Sequence, residues 1–277
     1  MTRPRGFEPP PVFASDRPLV FAHRGGAKIG PENTWLALTR GLAAGADGIE
    51  CDVRLAADGE PVLMHDATLE RTTDARGPVH ALTSTALAGI DATCRFLPAD
   101  DAWRVAAPEG VPTLRAVLAR LGPARLIIEL KDDDPRLADA VVSLVREHDA
   151  LARVCLGSFH QRMVDRVRSI ASELTTSASR PEAQRTLARS WIRWPFAMSP
   201  PYRAFQVPER AGRLHVVTPA FVRRAHRERS LVQVWTVDQP TDVQRLLRLG
   251  VDGIISDRPD LAVPARDAFT AATASAQ

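Results

Sequence analysis

RLIIELKDDDPRLADAVVSLVREHDALARVCLGSF, residues 125 to 159, holds two short apolar runs on either side of a segment with helical spacing. RLIIELK and RVCLGSF are rich in Leu, Ile and Val and too short for helices, whereas PRLADAVVSLVREHDA repeats its apolar residues every three or four positions. Strand, amphipathic helix and strand in that order read as a parallel crossover. The alternation extends both ways, with further strand-like runs at LVFAHR (19–24), GADGIECDV (45–53), ELTTSAS (173–179), AFQVPE (204–209), LVQVWTV (231–237) and DGIISD (252–257). Helical segments include TWLALTRGLAAG (34–45), TLRAVLARLG (113–122), HQRMVDRVRSIAS (160–172), TPAFVRRAHRERS (218–230) and TDVQRLLRLG (241–250), most of them ending in Gly or a polar cap. Eight such units predict an α/β fold, a (β/α)8 TIM barrel; about six would have favoured an open doubly wound sheet.

One segment breaks the alternation. In DVRLAADGEPVLMHD (52–66) two extended runs are separated only by AADGE, too short for a parallel crossover of about a dozen residues, so the second run must return antiparallel. The hairpin brings His65 back beside the strand end at Asp52, and residues 53 to about 112 form an insertion after strand 2. The expected organisation is an N-terminal arm over 1–17 that frays, a single barrel domain over 18–264, and a flexible Ala-, Thr- and Ser-rich tail over 265–277.

The chain has 277 residues, 45% hydrophobic and 25% charged, with no apolar run of about 18 residues, so no transmembrane segment is expected. Prolines stand where a secretory signal would carry its apolar stretch, which predicts a cytoplasmic protein. Cys51, Cys94 and Cys155 have no metal-binding or redox spacing and read as reduced, packed thiols. The net charge of +3 is dispersed along the chain, which argues against nucleic acid and suits a small anionic substrate. Of the 36 basic residues only Lys28 and Lys131 are lysines, so a lysine at 131 stands out.

In a barrel of this type the chemistry lies where the strands end. Those ends carry His23 and Arg24, Glu50 and Asp52, Glu129 and Lys131, Ser158 and Trp235. Side chains alternate along a strand, so Glu50 and Asp52 share the inward face with Glu129 and Lys131, while Cys51 and Leu130 point to the helices. Three converging carboxylates require raised pKa values or a cation, and hard oxygen donors suit one divalent ion, Mg2+ or Ca2+. The glycines after Arg24 read as a turn that lets backbone approach an anion, and Asn33 and Thr34 as the cap of the first helix, with Glu32 or Asn33 supporting the site as the alternative. SWIRWPFAMSPPYR (190–203) reads as a loop packed on the rim near the mouth or, more sharply, as an apolar wall or lid for a lipid alkyl chain.

AHRGG, PENT, GADGIECDVRLAADGEPVLMHDATLERTT, IIELK, LGSF, VWTVD and VDGIISDRPD, in this order over residues 19 to 260, resemble the glycerophosphodiester phosphodiesterase family, a group of phospholipase-C-like phosphodiesterase barrels. The stretch from about 173 to 215 adds little to the resemblance. The resemblance implies metal-dependent hydrolysis of glycerophosphodiesters to glycerol 3-phosphate and an alcohol. Carried over residue by residue, it implies Glu50, Asp52 and Glu129 as ligands of one divalent cation, His23 and His65 as the acid and base, Arg24 and Lys131 as phosphate-binding groups, and Trp235 in the pocket. The implied partner is a small glycerophosphodiester or a lysolipid, with transient membrane contact allowed. Competing readings are a phospholipase D type acting on lysolipids and a barrel that binds phosphoesters without turnover. A nucleotide-binding sheet is disfavoured because HRGG lacks the GxGxxG spacing.

Overall fold

The computed structural model describes residues 7–192, 194 and 196–275. Among these, the strands are β1 (Leu19–His23), β2 (Gly48–Leu55), β3 (Pro61–Leu63), β4 (Arg125–Leu130), β5 (Val154–Gly157), β6 (Thr175–Thr176), β7 (Ala204–Pro208), β8 (Arg210–Ala211), β9 (Leu214–His215), β10 (Leu231–Trp235) and β11 (Gly253–Ser256). The helices are α1 (Trp35–Ala43), α2 (Ser84–Ala88), α3 (Leu114–Arg120), α4 (Pro135–Glu147), α5 (Gln161–Ile170), α6 (Arg180–Trp191), α7 (Pro219–Arg227), α8 (Pro240–Leu249) and α9 (Pro259–Ala274).

All eight strand-like runs form parallel strands, ordered β6-β5-β4-β2-β1-β11-β10-β7. A parallel bridge from Ser177 to Ala204 brings β6 round to β7, so eight strands make a near-closed TIM-type barrel. Alternation sorts each strand between two cores. Ile49, Cys51, Val53, Leu126, Ile128 and Leu130 pack outward against Leu114, Val117, Leu137, Val141 and Val145 of α3 and α4. Leu19, Phe21, Ile127, Cys155, Leu231 and Ile255 fill the barrel's interior at its lower end.

That interior also takes residues from the N-terminal arm. Val12 and Phe13 are buried, and the Phe13 ring meets Phe21 edge-on at 6.0 Å, so the arm does not fray over this stretch but plugs the end where the strands begin. Residues 1–6 of the arm lie outside the described residues.

The expected tail is also corrected. From Pro259 to Ala274 the chain is helical, and Arg266, 1% exposed, donates to Asp47 Oδ2 at 2.6 Å and to the Pro18 carbonyl at 3.1 Å. The inner face of α9 is made of Ala262, Val263, Ala265 and this arginine, and Pro264 lies within the helix, which together erase the apolar periodicity a sequence reading depends on.

β3 pairs antiparallel with β2, Val53 opposite Leu63, and the insertion has its own small core of Val62, Met64, Leu69, Val79, Leu87 and Val111. Met64 N donates to the Asp52 carbonyl at 3.1 Å, which sets His65 beside the end of β2.

Residues 190–203 lie elsewhere than expected. The described ones among them, 190–192, 194 and 196–203, run from the end of α6 to the start of β7 and therefore sit at the face where strands begin, opposite the mouth. The error arose from α6, whose buried side chains are Glu182, Thr186, Leu187 and Ser190, too polar to be read as a core-facing helix. No helix among the described residues is long and apolar enough to cross a membrane.

Candidate active site

Register assembles the site. In the parallel ladders His23 stands beside Glu50, and Asp52 beside Glu129, so residues from three strands become neighbours at one end of the barrel. A cavity opens there, lined by His23, Arg24, Glu50, His65, Glu129 and Lys131 together with Ser158, Phe159 and Trp235. Asp52 lies just behind, almost wholly buried.

β1 ends in a tight reversal in which Arg24, Gly25 and Gly26 all have positive φ. A Cβ on Gly25 would come within 2.6 Å of the Leu38 nitrogen, so this glycine admits the backbone of α1. The reversal aims Arg24 N at Glu50 Oε2, 3.0 Å away. The His23 ring is fixed by Asp257, whose Oδ1 lies 2.6 Å from Nδ1, leaving Nε2 on the cavity side 3.8 Å from Glu50 Oε2. Burial opposes charging of His23, but the Asp257 hydrogen bond and the Glu50 carboxylate outweigh it and raise its pKa.

Glu50, Asp52 and Glu129 each present a carboxylate oxygen within 4.8 Å of the others. Burial, reinforced by Asp52, pushes the Glu50 carboxyl up to about 7. Burial works the same way on Asp52, yet Lys131, Arg24 and His65, with a hydrogen bond from Asn33, hold it below its ordinary value. Lys131 Nζ stands 2.8 Å from Glu129 Oε2 and 3.0 Å from Asp52 Oδ1. The second contact has ion-pair distance without hydrogen-bond alignment, and Asp52 Oδ1 is buried with no hydrogen-bond partner. Three mutually repelling hard oxygen donors within 4.8 Å of one another fit a divalent cation such as Mg2+ or Ca2+.

The other histidine comes from the insertion. His65 Nδ1 lies 2.6 Å from Asp66 Oδ1, and its carbonyl accepts from Arg54 at 2.8 Å and 3.0 Å, with Arg54 itself paired to Asp132. Burial lowers the His65 pKa despite the pull of Asp52 and Asp66, the reverse of His23. Asp66 in turn accepts from Arg71 Nε at 2.5 Å, and Arg71 reaches both oxygens of Glu32, at 2.7 Å and 2.8 Å. Glu32 accepts from Arg24 Nη1 at 2.9 Å, so Arg71 links the supports of His65 and Arg24.

The glycerophosphoryl diester phosphodiesterase family matches residues 23–261. A glycerophosphodiester phosphodiesterase from Caldanaerobacter subterraneus subsp. tengcongensis is 30% identical over 87% of this chain and 95% of its own. The crystal structure of a glycerophosphodiester phosphodiesterase from Agrobacterium tumefaciens str. C58 superposes with a TM-score of 0.71 at 31% identity, covering 88% of this chain and 98% of that one. A phosphodiesterase from Oleispira antarctica, solved in complex with the product sn-glycerol-3-phosphate, shares the fold at a TM-score of 0.73 and 22% identity, covering 91% and 97% of the two chains. The chain belongs to the glycerophosphoryl diester phosphodiesterase family. It is a phosphoric diester hydrolase.

Within this phosphodiesterase the remaining predicted site residues differ in what they offer. Trp235 lines the cavity and pairs with Phe159, ring centroids 6.1 Å apart, while Lys131 Nζ lies 5.7 Å from the Phe159 centroid. The Ser158 hydroxyl donates to the Leu130 carbonyl at 2.8 Å and accepts from His160 N at 3.2 Å. Ser158, expected from its place at a strand end to bind substrate, lines the cavity with its hydroxyl engaged in ending β5. Asn33 is likewise not a helix cap. Thr34 caps α1, whereas Asn33, at positive φ, clamps Asp52 by donating Nδ2–H to Oδ2 at 3.0 Å and accepting from Asp52 N at 3.2 Å.

The sequence pattern does not single out Asp257, Asp66, Arg71 or Phe159, and it offers Glu32 only as an alternative to helix capping. Asp257 was the most accessible, being the polar end of the run DGIISD and so comparable with His23 at the end of β1. Arg71 lies within DATLERTT, but nothing in its local sequence says that it bridges two carboxylates from different segments.

Proposed function

We propose that the protein hydrolyses glycerophosphodiesters to glycerol 3-phosphate and an alcohol, with one divalent cation held by Glu50, Asp52 and Glu129. The observation that carries this reading is the meeting of three acids, two histidines and two cations around one cavity at the strand ends. When bound, the ion supplies Lewis-acid stabilisation of charge on the phosphoryl oxygens.

Arg24 and Lys131 orient the anionic diester. Arg24 lines the cavity with its guanidinium held by Glu32 at 2.9 Å and by Asp52 at 3.3 Å, which fixes its orientation toward an anion. His23 and His65 each have one ring nitrogen tied to a carboxylate, which fixes ring orientation and leaves the other nitrogen to exchange protons. One ring takes the proton from the attacking oxygen as it bonds to phosphorus; the other delivers a proton to the alkoxide as the ester bond breaks. Phe159 and Trp235 form the apolar side of the cavity, where they can pack against the carbon skeleton of the diester.

Substrate preference follows from the position of residues 190–203. The described ones among them lie at the far end of the barrel and do not wall the mouth against an acyl chain, and deacylated diesters are the substrates we propose. The test is a panel of glycerophosphodiesters and lysolipids given to metal-stripped protein, with Mg2+ or Ca2+ restored in turn and glycerol 3-phosphate release followed. Product from glycerophosphodiesters is expected only with an ion restored. No product from any substrate with either ion overturns the proposal.

A further inference from the structure

At the end of the barrel away from the cavity, the chain leaving α6 exposes Trp191, Ile192, Trp194, Phe196 and Met198, each between 40% and 68% accessible. Among the described residues eight large apolar side chains are exposed, and five fall in this one segment, so they form a patch and not the usual scatter. Trp194 and Phe196 meet edge-on with centroids 5.8 Å apart. The segment is also held in place. Buried Arg224 donates to the carbonyls of Trp194 and Phe196, both at 2.6 Å, while pairing with buried Glu228 at 2.6 Å and 2.9 Å. The buried guanidinium thus fastens the backbone inward while the aromatic side chains stay in water, an arrangement that costs free energy for the isolated molecule.

Charge indicates what covers the patch. Beside Met198 runs a groove whose charged residues are Arg203, Arg227, Glu228 and Arg229. Glu228 is buried in its pair with Arg224, and the three other arginines are exposed, so the groove shows water only positive charge. We propose that this face docks on a bilayer containing anionic phospholipid. Trp191, Ile192, Trp194 and Phe196 enter the boundary between headgroups and acyl chains, where indole and phenyl rings are favoured, and Arg203, Arg227 and Arg229 meet lipid phosphates. A second copy of the chain fits poorly, because a two-fold contact through this patch would set the same arginines against one another.

Docking also fixes orientation. The bilayer covers the end where the strands begin, and the mouth opens into water on the opposite side. Given the hydrolytic activity proposed above, on which this consequence rests, the enzyme sits at a lipid surface and takes water-soluble diesters from solution, not acylated ones from the bilayer beneath it.

The test is sedimentation of the full chain with vesicles of phosphatidylcholine alone or with about one part in four phosphatidylglycerol. Binding is expected to the anionic vesicles, weakened at least about tenfold by Trp191→Ser with Phe196→Ser, by Arg227→Glu with Arg229→Glu, and by raised salt. Thermal melting and hydrolysis of glycerophosphocholine without vesicles should match the parent in both variants, since all four residues are exposed and remote from the cavity. The proposal is overturned by no binding, by equal binding to both vesicles, or by binding that the aromatic substitutions leave unchanged. A dimer in solution that the same substitutions dissolve overturns it in favour of a second copy. Failure of hydrolysis alongside normal vesicle binding counts against the proposed activity instead.

Discussion

The two ends of the barrel are built from the same strands yet do opposite things. At the lower end the inward positions are Leu19, Phe21, Ile127, Cys155, Leu231 and Ile255, closed off by Val12 and Phe13 from outside the barrel. One or two inward positions further along, the same columns carry His23, Glu129, Gly157, Trp235 and Asp257. The lower end buries apolar surface and supplies stability, while the upper end crowds like charges, with Glu50 pushed up to about 7 by burial and by Asp52. Stability and chemistry are thus separated along a few ångströms of strand, and each can be attacked alone.

The largest separation should come from Asp52→Asn. It removes a predicted ion ligand and the partner of Lys131 and Arg24, so kcat is expected to fall at least about a thousandfold while the melting temperature holds or rises. Steady-state assays beside thermal melts decide this, and a well-folded, active variant would remove Asp52 from the mechanism. Phe13→Ala attacks the other end. Loss of a buried ring from the plug should cost about 3 kcal/mol in denaturant unfolding with kcat within about twofold of the parent.

Smaller effects sharpen the boundary between the two ends. Arg71→Ala leaves every group proposed to touch substrate in place but frees Asp66 and Glu32 together, so kcat should drop about tenfold to a hundredfold with little change in melting. Arg71→Lys, which cannot reproduce the bridging fork, should recover only part of it; full activity in the alanine variant would reduce Arg71 to a surface residue.

The smallest effect concerns Glu182, buried in a capping box with Ser179 and paired to Arg168 at 2.8 Å. Burial opposes its charge, but Arg168 and the Ser179 backbone hold its pKa below the ordinary 4.5. A depressed folded-state pKa means that the stabilisation is complete above about 4.5 and disappears as pH falls through the folded value. Glu182→Gln should therefore flatten the acid limb of the stability curve by about 1 kcal/mol, read as urea midpoints against pH, and an unchanged limb would show the pair to be neutral.

Sequence legibility followed the same division. Barrel strands were readable because they are short, Val-, Ile- and Leu-rich runs bounded by polar residues, and their polar ends pointed directly to His23, Glu50, Asp52, Glu129 and Lys131. Helices α6 and α9 were not, since one buries Glu182 and Ser190 and the other buries alanines and an arginine, and neither gives an apolar stripe. Missing α6 then put residues 190–203 at the wrong end. Within the site, the groups that hold the histidines and Arg24 were hidden because their contacts are tertiary: Asp257 meets His23 across nearly the whole chain, and Glu32 meets Arg71 from another segment. Side-chain type and position in a strand are local facts, whereas the partner of a side chain is a property of the folded chain.

Arg266 bears on how the molecule comes into being. Its guanidinium reaches Asp47 from the last helix, while Asp47 also receives Val20 N and Arg17 at the base of the first two strands. A ribosome therefore exposes the beginning of the barrel long before its deepest counter-charge has been synthesised. Final tightening of that root must wait until α9 has emerged.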